Sequence, residues 1–478
     1  MQQHGKSART RKTRLFATYL AMTLAVAAIS FVCIALVLGY RFDVEKGDVE
    51  LGALVQLRSF PEKATINFDG EKLSFTTPGK RSVAVGTHSV TMSLKDYQTW
   101  QKTFTVQAGE LRWLNYARLV PSKIVTNSLK EFPSVTGALP SPDKKWFIVQ
   151  TVAEKPEFTL VDLREKTPVF TSLVLPSNSY TTVEGQPHAF SLVEWDFGAR
   201  YVLVKHTTGT VTEFLRVDRT NPTATVNVTG KLGVTVQDIH FSGTSGNAYY
   251  ALQDGTLRRL DSGAGTISQP IQKGVTAFEL YKEDTIAYTR NEGLSTIVGL
   301  LYNDKLTRVA TYPADQPVMI DVSSYFSDTY VAVMRGTKID TYFNPQIKSE
   351  SKRLASITTP QTNSWVRFAN SGRFVVTGNG SQFTTHDYET HETYSVNVPG
   401  TAGDPTKPLQ WLDDFYMVST ANNDIRLTEF DGGNQHVISS VLPGSYMTLS
   451  DDGKFLYSLT KSQAGGVVMQ QSLMTVGD

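Results

Sequence analysis

Groups able to do chemistry recur in one short phrase down the last three quarters of the chain. It reads Ser141-Pro142-Asp143-Lys144-Lys145-Trp146-Phe147-Ile148-Val149 near the start and Ser450-Asp451-Asp452-Gly453-Lys454-Phe455-Leu456-Tyr457 near the end. A hydroxyl, a carboxylate and an amine at fixed spacing are the parts of nucleophilic and general acid–base catalysis. Weaker copies begin at Trp195, Phe368 and Trp411, each running from an apolar strand end through a polar Asp/Gly turn into an aromatic, β-rich strand. As punctuation between strands, the same residues have a structural role. Asp143 and Asp451 are expected to accept backbone hydrogen bonds inside their own turns.

The densest titratable cluster is His386-Asp387-Tyr388-Glu389-Thr390-His391-Glu392. A metal site there would need both histidines, and in a strand their odd offset points them to opposite faces. A polar hairpin end is the better reading. The Asp413-Asp414 and Asp451-Asp452-Gly453 turns carry oxygen ligands that suit Ca²⁺, but the full spacing of a calcium loop is missing. The one cysteine, Cys33, lies in an apolar run, which excludes intrachain disulfides and thiolate clusters. No catalytic, cofactor-binding or metal-binding residue is assigned, and no cofactor is expected.

The elements that carry these groups begin at a membrane signal. Residues 1–14 form a basic tail with Lys6, Arg9, Arg11, Lys12 and Arg14, and Leu15 to Tyr40 then runs 26 residues without a charge. That length spans a bilayer with some tilt. The basic flank stays in the cytoplasm, so everything after Tyr40 is expected outside the cell. Ala25-Val26-Ala27 offers a signal-peptidase pattern, but cleavage there leaves the apolar stretch Ile29 to Leu38 as the new N-terminus, so an uncleaved anchor reads better. Formal net charge is +1, and because the five tail cations supply +5, the rest carries −4. No basic face is left for nucleic acid.

Residues 41–54 read as a linker, acidic through Asp43, Glu45, Asp48 and Glu50, and residues 55–121 as a small β-sandwich of short alternating strands. The latter carries Ser59-Phe60-Pro61-Glu62-Lys63-Ala64, a strand ending in Asp69-Gly70, Thr76-Thr77-Pro78, Gly86-Thr87-His88, Asp96-Tyr97 and Ala108-Gly109-Glu110. In that order these landmarks resemble a PEGA domain, which implies a spacer or binding module of envelope proteins and no catalysis. Lys63 replaces the name-giving glycine, suggesting a turn that does not need positive φ. Asp96 replaces a second glycine and tolerates the left-handed region. His88 reads as a strand-edge residue.

From residue 122 to 478 the turn-then-strand phrase recurs near 141, 195, 242, 284, 327, 371, 413 and 451, the period of a four-stranded propeller blade. The region resembles the WD-repeat-like propellers of the TolB type, whose blades carry a Ser-Pro-Asp-Gly turn, with Lys144 where that Gly should stand. The fold class is thus mainly β: a transmembrane helix at 15–40, a PEGA-like sandwich and a β-propeller of eight blades, with seven the alternative. The last blade is a strand short, and Ile124-Val125-Thr126-Asn127-Ser128-Leu129 is expected to supply its outer strand.

Enzymatic propellers can be tested against the text. Neither a Gly-x-Ser-x-Gly elbow nor the length for a hydrolase domain is present. The sialidase Asp-box spacing fails at Ser141 and Ser450, and adjacent cysteines of quinoprotein dehydrogenases cannot exist. No set of Arg, Glu, Asp or His stands out at equivalent blade positions. The expected function is therefore non-enzymatic: a membrane-anchored, extracytoplasmic binding or scaffold protein of the prokaryotic cell envelope, presenting the propeller to a protein or glycan. An extracytoplasmic hydrolase or lyase with its site in the propeller channel is the alternative.

Overall fold

The computed structural model describes residues 5–37, 40–43, 48–380, 382–397, 409–421 and 423–477. Glu45 of the acidic linker lies outside them. The first element is a helix, Gly5–Val37, which takes in most of the basic tail and ends three residues before the expected boundary at Tyr40. Its segment Phe16–Ile34 has mean hydropathy 2.1 and is buried by nothing else in the chain, as befits a membrane span or a signal sequence. The linker is not featureless: Tyr40–Asp43 pairs antiparallel with Asp48–Leu51. The chain divides into two compact units, Met1–Lys123 and Ile124–Asp478.

In the first unit two sheets enclose one core. One is ordered Glu71–Thr76, Thr65–Phe68, Gly86–Ser93, Trp100–Val106; the other is Gly79–Val83, Ala53–Phe60, Leu111–Arg118, its last pair parallel. Alternation sends Val55, Leu57, Ile66, Phe68, Val90, Met92, Trp100 and Leu114 inward. The landmark residues meet each other. Thr77 Oγ1 accepts from the Ala64 N–H at 2.9 Å and lies 2.6 Å from Ser59 Oγ, so the Thr-Pro segment clasps the turn at Pro61. Lys63 corrects the expectation set for it: its φ is +68°, so the turn does use the left-handed region, and lysine occupies it. Asp96, at +67°, does what was expected of it. His88 is a clamp at its strand edge, with Nδ1 2.6 Å from Asp69 Oδ2 and Nε2 2.8 Å from the Ala84 carbonyl oxygen.

In the second unit the described residues form eight sheets, over residues 137–174, 188–227, 238–273, 275–313, 319–358, 365–397, 410–440 and 448–473. Each has four antiparallel strands in chain order, and the third has a fifth short one, Gln272–Lys273. The eighth contributes three strands of its own, and Thr126–Phe132 pairs with Val467–Leu473 as the fourth. Second strands such as Trp146–Gln150 are buried throughout, because sheets cover both of their faces. Successive sheets share cores, and Phe132, Phe147, Val149, Phe455, Tyr457 and Met469 join the first sheet to the eighth.

All eight phrases mark the turn between a first and a second strand. In the first copy Ser141 Oγ donates to Asp143 Oδ1 at 2.5 Å, Asp143 Oδ1 accepts the Lys145 N–H at 3.1 Å, and Ser141 Oγ accepts the Trp146 N–H at 2.9 Å. In the last copy the same bonds run through Ser450 and Asp452. The expectation for Asp451 is thus corrected: it stands in the register of Pro142, and the carboxylate that closes the turn is Asp452. The left-handed residue is Lys144, Ala199, Gly372 and Gly453 in four copies, with φ of +60°, +52°, +77° and +71°. Arginine partners explain the strands that end in Asp: Arg164–Asp162 at 2.5 Å, Arg200–Asp218 at 2.7 Å and Arg373–Asp387 at 2.6 Å.

Candidate functional site

First strands of neighbouring sheets lie side by side, whereas fourth strands such as Val169–Val174 and Thr393–Asn397 are largely exposed, so the first strands are innermost. One equivalent position lies two places before the turn in six sheets, three before it in the fourth and five before it in the fifth, where the hairpin is longer. It faces Ile148, Leu203, Tyr250, Ala287, Ala332, Val376, Val418 and Tyr457 in the eight second strands. The occupants are Leu139, Glu194, His240, Glu279, Asp321, Arg367, Gln410 and Thr448. Five consecutive ones are titratable. Equivalent positions therefore do carry a set of Arg, Glu, Asp and His, against the expectation that none stands out.

Their side chains engage one another and the next sheet. Glu194 Oε1 accepts the Phe241 N–H at 2.6 Å, and Oε2 lies 2.8 Å from His240 Nδ1. Asp238 carries the other side of that imidazole, 3.4 Å from Nε2. Arg367 Nη1 reaches Glu279 Oε1 at 3.0 Å. Asp321 Oδ2 accepts the Phe368 N–H at 2.6 Å and Oδ1 the Val322 N–H at 2.9 Å. Gln410 Oε1 accepts the Met447 N–H at 3.1 Å. One position therefore both sews sheet to sheet and lines the innermost surface.

Electrostatics set these groups apart from ordinary surface charges. Burial alone would depress His240, but its bonds to Asp238 and Glu194 and their charges raise it to about 10, so it is an imidazolium at neutral pH. Burial pushes Glu279 up against the opposing pull of Arg367. Burial also drives Asp321 up to about 7, Arg367 again opposing and Glu279 adding to the rise. Perturbed carboxylates beside a guanidinium and an imidazolium form a site that can pair with a polar ligand or hold a proton near neutrality.

The clusters singled out in the sequence serve other roles. His386 is buried on its strand with Nδ1 2.9 Å from Thr393 Oγ1, while His391 is exposed in the following turn at φ +59°. Asp387 is taken by Arg373, and Asp413 Oδ1 accepts the Phe415 and Tyr416 N–H groups at 2.9 Å each. Among the described residues no group of three or more His, Cys, Asp or Glu is arranged to hold a metal ion. A second buried network links His188, His206 and Glu213, and Glu213 accepts from the Thr181 N–H at 2.7 Å, anchoring the loop before the second sheet.

Residues 53–121 match the PEGA domain family. Among solved structures the chain is similar to dihydro-heme d1 dehydrogenase NirN in complex with DHE, at 11% identity and TM-score 0.43 over 64% of this chain and 67% of that one. It is similar also to apo AztD from Citrobacter koseri, at 11% identity and TM-score 0.42 over 76% and 94%. No curated protein matches.

Proposed function

We propose that the chain is a non-enzymatic, membrane-anchored binding protein of the prokaryotic cell envelope. Its N-terminus lies in the cytoplasm and both units lie outside, the basic flank of the helix setting that orientation. The eight sheets make one closed β-propeller of the TolB or WD-repeat-like kind, the strand Thr126–Phe132 joining its two ends, and the PEGA domain lies between it and the helix in chain order. The observation that carries a binding role is the charged arc Glu194, His240, Glu279, Asp321 and Arg367 on the innermost strands. It receives a polar envelope partner, a protein or a glycan, through groups already fixed by their neighbours.

The test is capture of envelope components by the full chain in nanodiscs, comparing wild type with the doubly neutralised Glu279→Gln/Arg367→Met. Loss of a retained component in the variant, at unchanged melting temperature, supports the reading; identical capture profiles overturn it. The raised Asp321 and Glu279 beside Arg367 favour one second reading, a hydrolase or lyase acting in the channel. Time-dependent cleavage of a captured glycan, abolished in Asp321→Asn, would establish that reading instead.

A further inference from the structure

The PEGA domain has an open cavity of about 340 Å³ on the outer face of its three-stranded sheet. Trp113 and Asn115 come from one strand, Gln56 and Arg58 from the next, and Glu62 and Pro78 close the rim. Register puts Gln56 directly beside Trp113. Alternation sends Val55, Leu57 and Leu114 into the core and these side chains outward. Trp113 keeps 36% of its surface exposed, whereas none of the other five tryptophans exceeds 9%. An indole left on a sheet face costs hydration free energy that a ligand can recover.

The polar groups around it are free to bind. Among the described residues the Gln56 and Asn115 amides have no hydrogen-bond partner, and each offers two donors and an acceptor. Arg58 Nη2 pairs with Glu62 Oε1 at 3.0 Å, so the lining residues carry no net charge, and Lys80, opposite Gln56 in the register, lies outside the lining. The fitting ligand is neutral, with one apolar face for the indole and a rim of hydroxyls for the amides and the ion pair. That is the chemistry of a pyranose.

We propose that this cavity binds a neutral glycan segment, with a sugar ring stacked on Trp113 and its hydroxyls held by Gln56, Asn115 and the Arg58–Glu62 pair. The site belongs to the PEGA domain and does not rest on the reading of the charged arc. Because Trp113 is the exposed indole, acrylamide quenching of tryptophan fluorescence reports on it in the full-length chain. Millimolar cellotetraose or chitotetraose is expected to protect it from quenching. Gln56→Met and Asn115→Leu together keep the shape and remove the amides, and should weaken the half-protection concentration about fivefold or more. Protection by neither sugar overturns the proposal, as does protection with the same concentration dependence in the double variant.

Discussion

Replacing His240 with glutamine asks whether an imidazolium really bridges the inner strands of the second and third sheets. In the folded chain its pKa is about 10, above the unfolded value of about 6.5. The sign follows: its stabilisation is fully present below about pH 6.5, declines above it, and is gone once pH passes about 10. The well-made bond is the one to Glu194 at 2.8 Å; that to Asp238, at 3.4 Å, is long. One charged hydrogen bond is worth about 1.5–3 kcal/mol, and the 29% exposure of the side chain lets solvent screen the pair, so about 2 kcal/mol at pH 6 is expected. For a unit of about 355 residues the unfolding entropy converts this into a fall in melting temperature of about 2–3 °C. Calorimetry of wild type and His240→Gln between pH 6 and pH 11 measures it. The two proteins differ only at residue 240, so the difference between them reports on the imidazole. It should be largest at pH 6 and vanish above about pH 10. A difference that stays constant, or grows with pH, would refute the bridging imidazolium.

Other perturbations separate turn, core and closure. Asp452→Ala removes the acceptor for both Ser450 Oγ and the Lys454 N–H and should cost about 1 kcal/mol, whereas Asp451→Ala should stay within about 0.5 kcal/mol, read by urea denaturation. Asp387→Ala removes two hydrogen bonds from Arg373, which is only 9% exposed, but leaves its pairing with Glu389, and should cost about 1.5–3 kcal/mol; the paired replacement Arg373→Met/Asp387→Leu should recover part of that. Gly372→Ala combines φ of +77° with a Cβ that collides with the Ser324 carbonyl oxygen, a clash with backbone that cannot swing away, and should lower the melting temperature more than Asp452→Ala. Removing Thr126–Phe132 leaves Val467–Leu473 as an unpaired edge, and size-exclusion chromatography should show self-association.

Much of the scaffold is legible because its signals are local. An uncharged run writes the helix, and a short polar turn before a buried strand writes each first hairpin. The terminal strand is legible by subtraction, since one sheet lacked a member and one segment lacked a sheet. Lys63 shows where such reading fails. A glycine motif occupied by lysine suggests relaxed geometry, yet the backbone keeps its positive φ, because the clasp by Thr77 fixes the turn from a distant position.

The charged arc is hidden for a different reason. Repeats are found by likeness, and the arc lies at an inner-strand position where the eight sheets differ: Leu, Glu, His, Glu, Asp, Arg, Gln and Thr. First strands such as Gln410–Trp411 and Thr448–Leu449 are also only two residues long, so they show no period of their own. Counting back two residues from each turn finds the position in six sheets but misses Glu279 and Asp321, whose strands run on to Tyr281 and Tyr325 before turning. What counting cannot supply is the hydrogen bonding across sheets, through which Glu194 and Asp321 spend one carboxylate oxygen each on a neighbouring backbone N–H. Those bonds hold the arc rigid before any ligand arrives, and they make its variability informative. Here five consecutive sheets carry charge while Leu139, Gln410 and Thr448 do not, and that asymmetry gives the inner surface one polar side on which recognition can concentrate.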